Sequence, residues 1–293
     1  MPQRPTHLPA IGYMLFAVAM FAFMDAGLKL LAPHYPPLQV AALRGMASLP
    51  FVLVWVLSTV SLSSLLQVHW PLHLLRGVLG ICMMVGFVYG LRSMPLSSAY
   101  AITFVAPMLI TALAVPFLGE KVGPRRWTAI AIGLVGVLVI LRPGGQGLAT
   151  AGGLAILLAA VCYAAGAIIM RVLAGRDSIQ AMVFWFLVML SVGASALAAP
   201  NWVALQPSHL WIIAMVGACG AVAQVALTQA FRRGEASLIA PLEYTALVWA
   251  VGLDLLLWGV LPDRWTWVGA GIIVVSGLYL LRREKIHAEA EHP

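Results

Sequence analysis

About ten apolar stretches, each roughly 18 to 24 residues long, fill this chain almost from end to end. A helix of that length, rising about 1.5 Å per residue, crosses a bilayer core of about 30 Å. Lipid offers the backbone no hydrogen-bond partner, and the alternating pattern of membrane β-strands is absent. Only 9% of the residues are charged, too few for a separate water-soluble domain. The sequence therefore predicts an all-α integral membrane protein.

Hydropathy predicts ten transmembrane helices, joined by short Pro- and Gly-rich turns such as 33–37 and 142–145. The predicted spans are 9–31, 37–60, 71–91, 97–118, 124–141, 151–172, 178–199, 208–230, 236–259 and 265–281. The first stretch is too long for the apolar core of a secretory signal and lacks a small-residue cleavage site. We therefore interpret it as the first span.

Lys and Arg residues between the spans are distributed unequally between the two sides of the membrane. With the N-terminus inside, the inner segments hold eleven of them: Arg4, Lys121, Arg125, Arg126, Arg171, Arg176, Arg232, Arg233, Arg282, Arg283 and Lys285. The outer joints hold three, Arg92, Arg142 and Arg264. The positive-inside rule then predicts a multi-pass protein of the bacterial inner membrane with both termini in the cytoplasm. The net charge of +7 follows from this topology and from contact with lipid headgroups, and requires no nucleic-acid partner.

The two halves of the chain resemble each other. The sequence that follows Arg126-Trp127-Thr128 is similar to the one that follows Arg264-Trp265-Thr266, although two apolar segments can also look alike by coincidence. We predict a five-helix repeat at 9–141, a second at 151–281 and a cytoplasmic tail at 282–293. Because five is odd, the repeats enter the membrane from opposite sides, which gives inverted repeats around a central cavity. This symmetry is a common basis of alternating access and favours a transporter.

Short motifs in both halves point to a known family. The first half carries Met24-Asp25-Ala26, Lys29, Tyr35-Pro36, Arg44, Gly119-Glu120-Lys121 and Arg126-Trp127, and the second carries Ala240-Pro241-Leu242-Glu243-Tyr244 and Trp249-Ala250. Together they resemble the EamA-type drug/metabolite transporter superfamily over nearly the whole chain. Within that superfamily, the chain is similar to the aromatic amino-acid exporters.

This resemblance implies a ten-helix basket whose cavity is lined largely by helices 1, 3, 4, 6, 8 and 9. It implies little about the substrate, because similar members move amino acids, S-adenosylmethionine, riboflavin and other metabolites. The chain departs from the family at Trp258-Gly259-Val260, where many members have Phe-Gly-Glu. Any role that the glutamate of Phe-Gly-Glu has in the second repeat of those members is therefore lost here or moved to another residue.

Charged residues inside the spans are the next indication, because a lone charge at the bilayer centre costs about 2.5 to 3.5 kcal/mol on insertion scales. Asp25 and Lys29 are four residues apart on one face of span 1, and Arg44 lies at a comparable depth in span 2. Two interpretations stay open for these three residues. They form either a fixed charge cluster that joins the two helices or a gate whose pairing changes with the transport state.

Two prolines predict helix breaks at matched places in the repeats, Pro107 in span 4 and Pro241 in span 9. Paired breaks are the best sequence indication of a substrate site at the membrane midplane. Glu243 lies two residues after Pro241, so it either faces the cavity as a cation partner or proton carrier or forms a fixed hydrogen bond between helices. Asp254, nearer the outer end of span 9, is expected to be solvated.

Aromatic and amide side chains complete the predicted pocket. The cavity candidates are Tyr89, Tyr100, Phe104, Tyr163, Gln224, Glu243, Tyr244 and Trp249, each of which could instead pack between helices. Such a lining suits an apolar or aromatic amino acid, whose ring stacks on rings while its ammonium group binds Glu243 or an aromatic face.

Enzyme chemistry is disfavoured. The chain has no His-Glu-x-x-His, Walker or dinucleotide fingerprint and no Ser or Cys in a nucleophile context, so we predict no cofactor and no metal. The three cysteines lie in spans and form no disulfide framework. We predict a secondary exporter of small metabolites, most simply amino acids, that works in the bilayer as a monomer because one chain holds both repeats. The alternative is an importer of riboflavin or S-adenosylmethionine.

Overall fold

The computed structural model describes residues 8–61, 65–120, 122–141 and 150–260, with 264–265, 267–269, 271–272 and 275–276. In this part of the chain all regular structure is helical. The α-helices are α1 (Leu8–Leu31), α2 (Pro37–Thr59), α3 (Trp70–Leu91), α4 (Leu96–Thr103), α5 (Val105–Leu118), α6 (Pro124–Leu141), α7 (Ala151–Ala174), α8 (Ile179–Ala198), α9 (Leu210–Arg233), α10 (Ala236–Ile239) and α11 (Ala246–Trp258). Short 3-10 helices occupy Ala199–Asn201, Pro207–His209 and Ala240–Thr245.

Eight helical segments are long and apolar enough to cross a membrane, which confirms the multi-pass prediction for the described part of the chain. They are Leu8–Leu31, Pro37–Thr59, Trp70–Leu91, Leu96–Leu118, Ala151–Ala174, Ile179–Asn201, Pro207–Arg233 and Ala240–Trp258. The predicted fifth span corresponds to α6, whose apolar part, Trp127–Gly136, is shorter. The predicted tail, 282–293, and most of the tenth span, 265–281, lie outside the described residues. Ten helices and inverted repeats therefore stay predictions.

Small residues let the helices approach closely. A Cβ atom added at Gly86 of α3 would lie 2.6 Å from the carbonyl oxygen of Ala155 in α7, and one at Gly90 would lie 3.0 Å from that of Gly152. This four-residue spacing gives α3 a bare strip along which α7 packs. At the crossing of α2 and α9, the Ser48 hydroxyl donates to the Gly217 carbonyl over 3.0 Å.

Gly217→Ala should lower the melting temperature in detergent, because the added methyl group would collide with the backbone carbonyl of Ala47 in α2. Overpacking of this kind typically costs about 1 to 3 kcal/mol. Gly12→Ala is the matched control, since a Cβ atom there meets nothing within 4 Å and alanine favours a helix by about 1 kcal/mol over glycine. Equal melting temperatures for the two variants would contradict this account of the crossing.

The helices are interrupted near both Pro107 and Pro241. The helical segment 96–118 is interrupted at Phe104, between α4 and α5, and the segment before α11 winds as a 3-10 helix over Ala240–Thr245. Pro107 explains the first break, because its ring conflicts with the carbonyl of the residue four positions earlier, Thr103, where α4 ends. Pro241 lies within the 3-10 turn itself.

The segments after the two breaks also end alike. Gly119 and Gly259 adopt left-handed conformations, with φ of 68° and 63°, and terminate α5 and α11. A carboxylate near each end accepts from the backbone at the start of a helix in the other half. Glu120 accepts from the N–H of Ala236 over 2.9 Å, and Asp254 accepts from the N–H of Ser97 over 2.9 Å.

The bundle has two ends, named here for one residue at each. The Tyr35 end holds the 32–36 and 92–95 turns and the 199–209 connection. The Asp177 end holds the 175–178 turn and the segment that precedes α3. The positive-inside count predicts that the Tyr35 end faces out and the Asp177 end faces the cytoplasm.

Candidate functional site

A cavity of about 1140 Å³, its open mouth included, lies inside the bundle. Its walls come from α1, α2, α3, α4, α7, α8 and α9 and from the segment around Glu243. Five methionines and four phenylalanines line it: Met14, Met24, Met83, Met84, Met170, Phe21, Phe87, Phe104 and Phe186. Thioethers and rings form an adaptable apolar surface.

Two acidic and two basic side chains interrupt this apolar surface: Asp25, Glu243, Arg44 and Arg76. Asp25, Arg44 and Arg76 are buried, with exposed fractions of 8%, 2% and 4%, and Glu243 is partly buried. Within the residues that the structure describes, none of the four lies in a salt bridge. Buried charges are usually paired, so these four are the chemically distinctive feature of the cavity.

Each carboxylate is held by one tyrosine. The Tyr100 hydroxyl donates to Asp25 over 2.6 Å, and the Tyr163 hydroxyl donates to Glu243 over 2.7 Å. A carboxylate has about four acceptor positions. One tyrosine therefore orients each group and leaves acceptor capacity for a cationic ligand.

The guanidinium groups have neutral partners. Arg44 donates from Nε to the sulfur of Met24 over 3.1 Å, and its Nη1 atom is buried without a partner in the described part of the chain. Arg76 donates to the carbonyl of Met182 over 2.8 Å and to the sulfur of Met170 over 3.4 Å. Because thioethers are weak acceptors, much of the donor capacity of both groups stays available.

The structure brings most of the predicted pocket residues together. Tyr100, Phe104, Tyr163, Gln224 and Glu243 all line the cavity. Helices 1, 3, 4, 6, 8 and 9 of the predicted numbering all contribute. Spans 2 and 7 also contribute, through Arg44 and Phe186.

Three other predicted residues lie elsewhere. Tyr89 is 45% exposed, because it follows Phe87 by two residues, about 200° around α3 from a side chain that lines the cavity. Trp249 is 40% exposed and contacts Phe23 at 5.8 Å between ring centroids. Tyr244 is buried against Phe104, 5.2 Å between centroids, and against Gly133 of α6. The structure therefore places these three side chains outside the lining of this cavity.

The predicted group of Asp25, Lys29 and Arg44 is divided. Asp25 and Arg44 line the cavity, whereas Lys29 donates to Asp254 over 2.8 Å and lies 3.9 Å from the ring centroid of Trp258. Asp254 is 1% exposed, so the expectation of a solvated Asp254 was wrong. Its second partner is α4, whose first N–H groups point at the carboxylate. The sequence offered no indication of either contact.

Polar contacts join the turns at the Tyr35 end. The Tyr35 hydroxyl is 2.9 Å from Nδ1 of His209, and Gln39 exchanges two hydrogen bonds with the backbone of Val203. Arg92 donates to the carbonyls of Ala32 and Tyr35 over 2.9 and 2.6 Å. These contacts fix the turns at this end of the bundle, beyond the side chains that line the cavity.

A second polar cluster, formed by His69, His73 and Asp177, lies at the Asp177 end. Asp177 accepts from the rings of both histidines, over 2.9 and 2.8 Å, and from the backbone N–H of His69 over 3.2 Å. Burial raises the pKa of the Asp177 carboxyl, but these hydrogen bonds lower it further than burial raises it. The pKa therefore lies below its ordinary value. His73 is one helical turn from Arg76, so this cluster adjoins the cavity wall.

Asp177→Asn should lower the melting temperature near pH 7, because the carboxylate accepts three hydrogen bonds there. A carboxyl whose pKa is lowered by folding stabilises the protein above its unfolded pKa, and that stabilisation is lost as the pH falls through the folded pKa. The difference between wild type and variant should thus be full near neutrality and shrink below about pH 4. Thermal unfolding in detergent between about pH 3 and pH 7 measures it, and a difference independent of pH would contradict the role of the charge.

Two stretches of the chain, residues 8–142 and 150–282, match the EamA-like transporter family. Among similar proteins, a riboflavin transporter of Rhizobium johnstonii is 33% identical over 75% of this chain and 73% of its own length. An S-adenosylmethionine uptake transporter of Rickettsia conorii is 28% identical over 98% of this chain and 97% of its own length. A pseudopaline exporter of Pseudomonas aeruginosa is 26% identical over 94% of this chain and 97% of its own length. The named substrates and directions of these proteins differ.

A solved crystal structure shares the fold. It superposes with a TM-score of 0.75, covers 93% of this chain and 99% of its own, and is 21% identical in sequence. At that identity the likeness concerns the arrangement of helices alone.

Proposed function

The chain belongs to the EamA-like transporter family, and we propose that it is a secondary exporter of amino-acid-type metabolites, apolar and aromatic ones included. The observation that carries this proposal is that charged side chains of both signs line one apolar cavity without a salt bridge to any of the described residues. A zwitterion with an apolar side chain complements all three properties of that surface. A neutral solute would leave the charges without partners, which is costly in a membrane interior.

The carboxylates of Glu243 and Asp25 would bind the ammonium group of such a substrate. Each has one tyrosine partner and further acceptor positions. The rings of Phe87, Tyr100 and Phe104 line the cavity as neighbours, 6.1 and 6.5 Å apart between successive centroids, and suit stacking against an aromatic side chain.

Alternating access between two inverted five-helix repeats is the proposed mechanism. Support comes from the matched features of the halves: a break at Phe104 and a 3-10 turn at Ala240–Thr245, then left-handed glycines at 119 and 259. The cross-contacts from Glu120 and Asp254 lie at opposite ends of the bundle. If one loosens while the other holds, the cavity opens to one side at a time.

Uptake of S-adenosylmethionine or riboflavin is the second candidate, favoured by the relatives named for those substrates. S-adenosylmethionine also carries an amino-acid group, so the same charged side chains would bind it. Riboflavin has no ionised amino or carboxylate group and fits the charge pattern less well.

Counterflow in liposomes tests the proposal. Purified protein is reconstituted in vesicles loaded with unlabelled amino acids, and the entry of radiolabelled amino acids, S-adenosylmethionine and riboflavin is measured with and without a pH gradient. We expect exchange that rises with internal aromatic or apolar amino acid and is absent from protein-free vesicles. Exchange of riboflavin alone would overturn the amino-acid assignment. Net flux in vesicles of defined sidedness tests the export direction.

A further inference from the structure

Two guanidinium groups share one aromatic ring in the cavity wall. The central carbon of Arg76 lies 4.7 Å from the centroid of Phe186, and that of Arg44 lies 5.9 Å from the same centroid. The three residues come from α3, α2 and α8, and all line the cavity. This cationic corner, formed by Arg44, Arg76 and Phe186, has no carboxylate within salt-bridge distance of either arginine in the described part of the chain.

Arg44 has the donor that most needs a ligand. Its side chain is 2% exposed, and its Nη1 atom is buried with no acceptor among the described residues. The sulfur of Met24 accepts a hydrogen bond from its Nε–H group. A charged donor that has no hydrogen-bond acceptor inside a protein is costly. A carboxylate is a far stronger acceptor than a thioether. A substrate carboxylate would satisfy Nη1.

Arg76 is anchored more firmly. Its Nη1 donates to the Met182 carbonyl over 2.8 Å, which fixes the side chain along α8, and its Nη2 has only the sulfur of Met170 at 3.4 Å. The stacked ring of Phe186 limits the rotation of this guanidinium. Arg76 is thus held in place while part of its planar donor edge stays available.

We infer that the cationic corner is the carboxylate subsite of the transported molecule, and that it makes the protein select amino acids over the corresponding amines. This inference rests on the proposed function, and it adds the group by which the substrate is recognised. The carboxylate binds Arg44, with Arg76 as the second cation, while the ammonium group lies toward the carboxylates of Asp25 and Glu243. Loss of one charge-assisted hydrogen bond in such a site corresponds to a tenfold to hundredfold loss of affinity, as an order of magnitude.

Two pairs of compounds that differ only in the carboxylate test this subsite. L-tryptophan is compared with tryptamine, and S-adenosylmethionine with its decarboxylated form, by thermal-shift titration of the purified protein in detergent. In at least one pair the acid should bind about tenfold or more tightly than the amine. Equal stabilisation by acid and amine in both pairs would overturn the subsite and leave the amino-acid assignment standing. Stabilisation by riboflavin and by neither acid would overturn both.

Arg44→Lys and Arg76→Lys supply the second measurement. Lysine keeps the charge but loses the planar fork that binds a carboxylate with two hydrogen bonds, so the preference for acid over amine should shrink about tenfold or more in each variant. Arg92→Lys is the matched control, because Arg92 bonds to turn carbonyls at the Tyr35 end and lies outside the cavity. It should leave the preference unchanged. An undiminished preference in both cavity variants would assign these arginines a purely structural role.

Discussion

Glu243→Gln should reduce substrate exchange in liposomes by about tenfold or more while the amount of folded protein in the membrane stays the same. Glutamine has the same shape and still accepts from the Tyr163 hydroxyl, now 2.7 Å from the carboxylate. What it removes is the negative charge that would bind the ammonium group. A hydrogen bond to a charged group contributes about 1.5 to 3 kcal/mol, which corresponds to that loss of affinity.

A pair of tyrosine variants gives the control. Tyr163→Phe removes the hydroxyl that orients Glu243, so it should reduce exchange by less than the loss of the charge does. Tyr89→Phe makes the same chemical change on the exposed side of α3 and should leave exchange unaltered. Undiminished exchange by Glu243→Gln would refute the cavity role of this carboxylate and favour the alternative, a fixed hydrogen bond to Tyr163.

Sequence reasoning succeeded where a single physical constraint acts along the chain. Lipid requires every spanning segment to satisfy its own backbone, so segment length and hydropathy were enough to find eight spans. Proline lacks an N–H and has a fixed ring, so Pro107 and Pro241 predicted the breaks without any knowledge of neighbouring helices.

The rotation of each helix about its own axis, which decides the side chains that face the cavity, was much harder to predict. In a soluble helix, polar residues mark the solvent face, but here both the lipid-facing and the protein-facing sides are apolar. Tyr89 and Phe87 are chemically alike and two residues apart, yet only Phe87 lines the cavity. Without an alternation of polarity, the sequence could not distinguish an aromatic residue that faces lipid from one that binds substrate.

Partners distant in the sequence were unpredictable for a different reason. The spacing of Asp25 and Lys29 on one helix face suggested a local cluster, but Lys29 pairs with Asp254, 225 positions away. Arg76 is a charged residue inside predicted span 3, yet nothing in the sequence placed it beside Phe186. These pairings depend on which helices are neighbours in the bundle, and a single sequence does not contain that information.

Asp254→Ala should lower the stability of the folded protein by about 3 to 5 kcal/mol, which is the usual cost of breaking a buried ion pair by removing one partner. The variant leaves the Lys29 ammonium, whose side chain is 12% exposed, without its carboxylate. It also removes the acceptor for the Leu96 and Ser97 N–H groups at the start of α4. Thermal and denaturant unfolding in detergent measure the loss.

Lys29→Met should cost less, and this asymmetry tests the assignment. In that variant Asp254 keeps its two backbone donors, and the methionine side chain still packs against the ring of Trp258. The double variant that carries both Asp254→Ala and Lys29→Met should be more stable than the sum of the two separate losses of unfolding free energy predicts. The reason is that the buried charge left by one change is removed by the other. If Lys29→Met proved the more damaging change, the main role of Asp254 would be to neutralise Lys29 rather than to hold α4. The predicted order instead gives Asp254 the same role as Glu120, since each carboxylate accepts from the backbone N–H at the start of a helix in the other half of the chain.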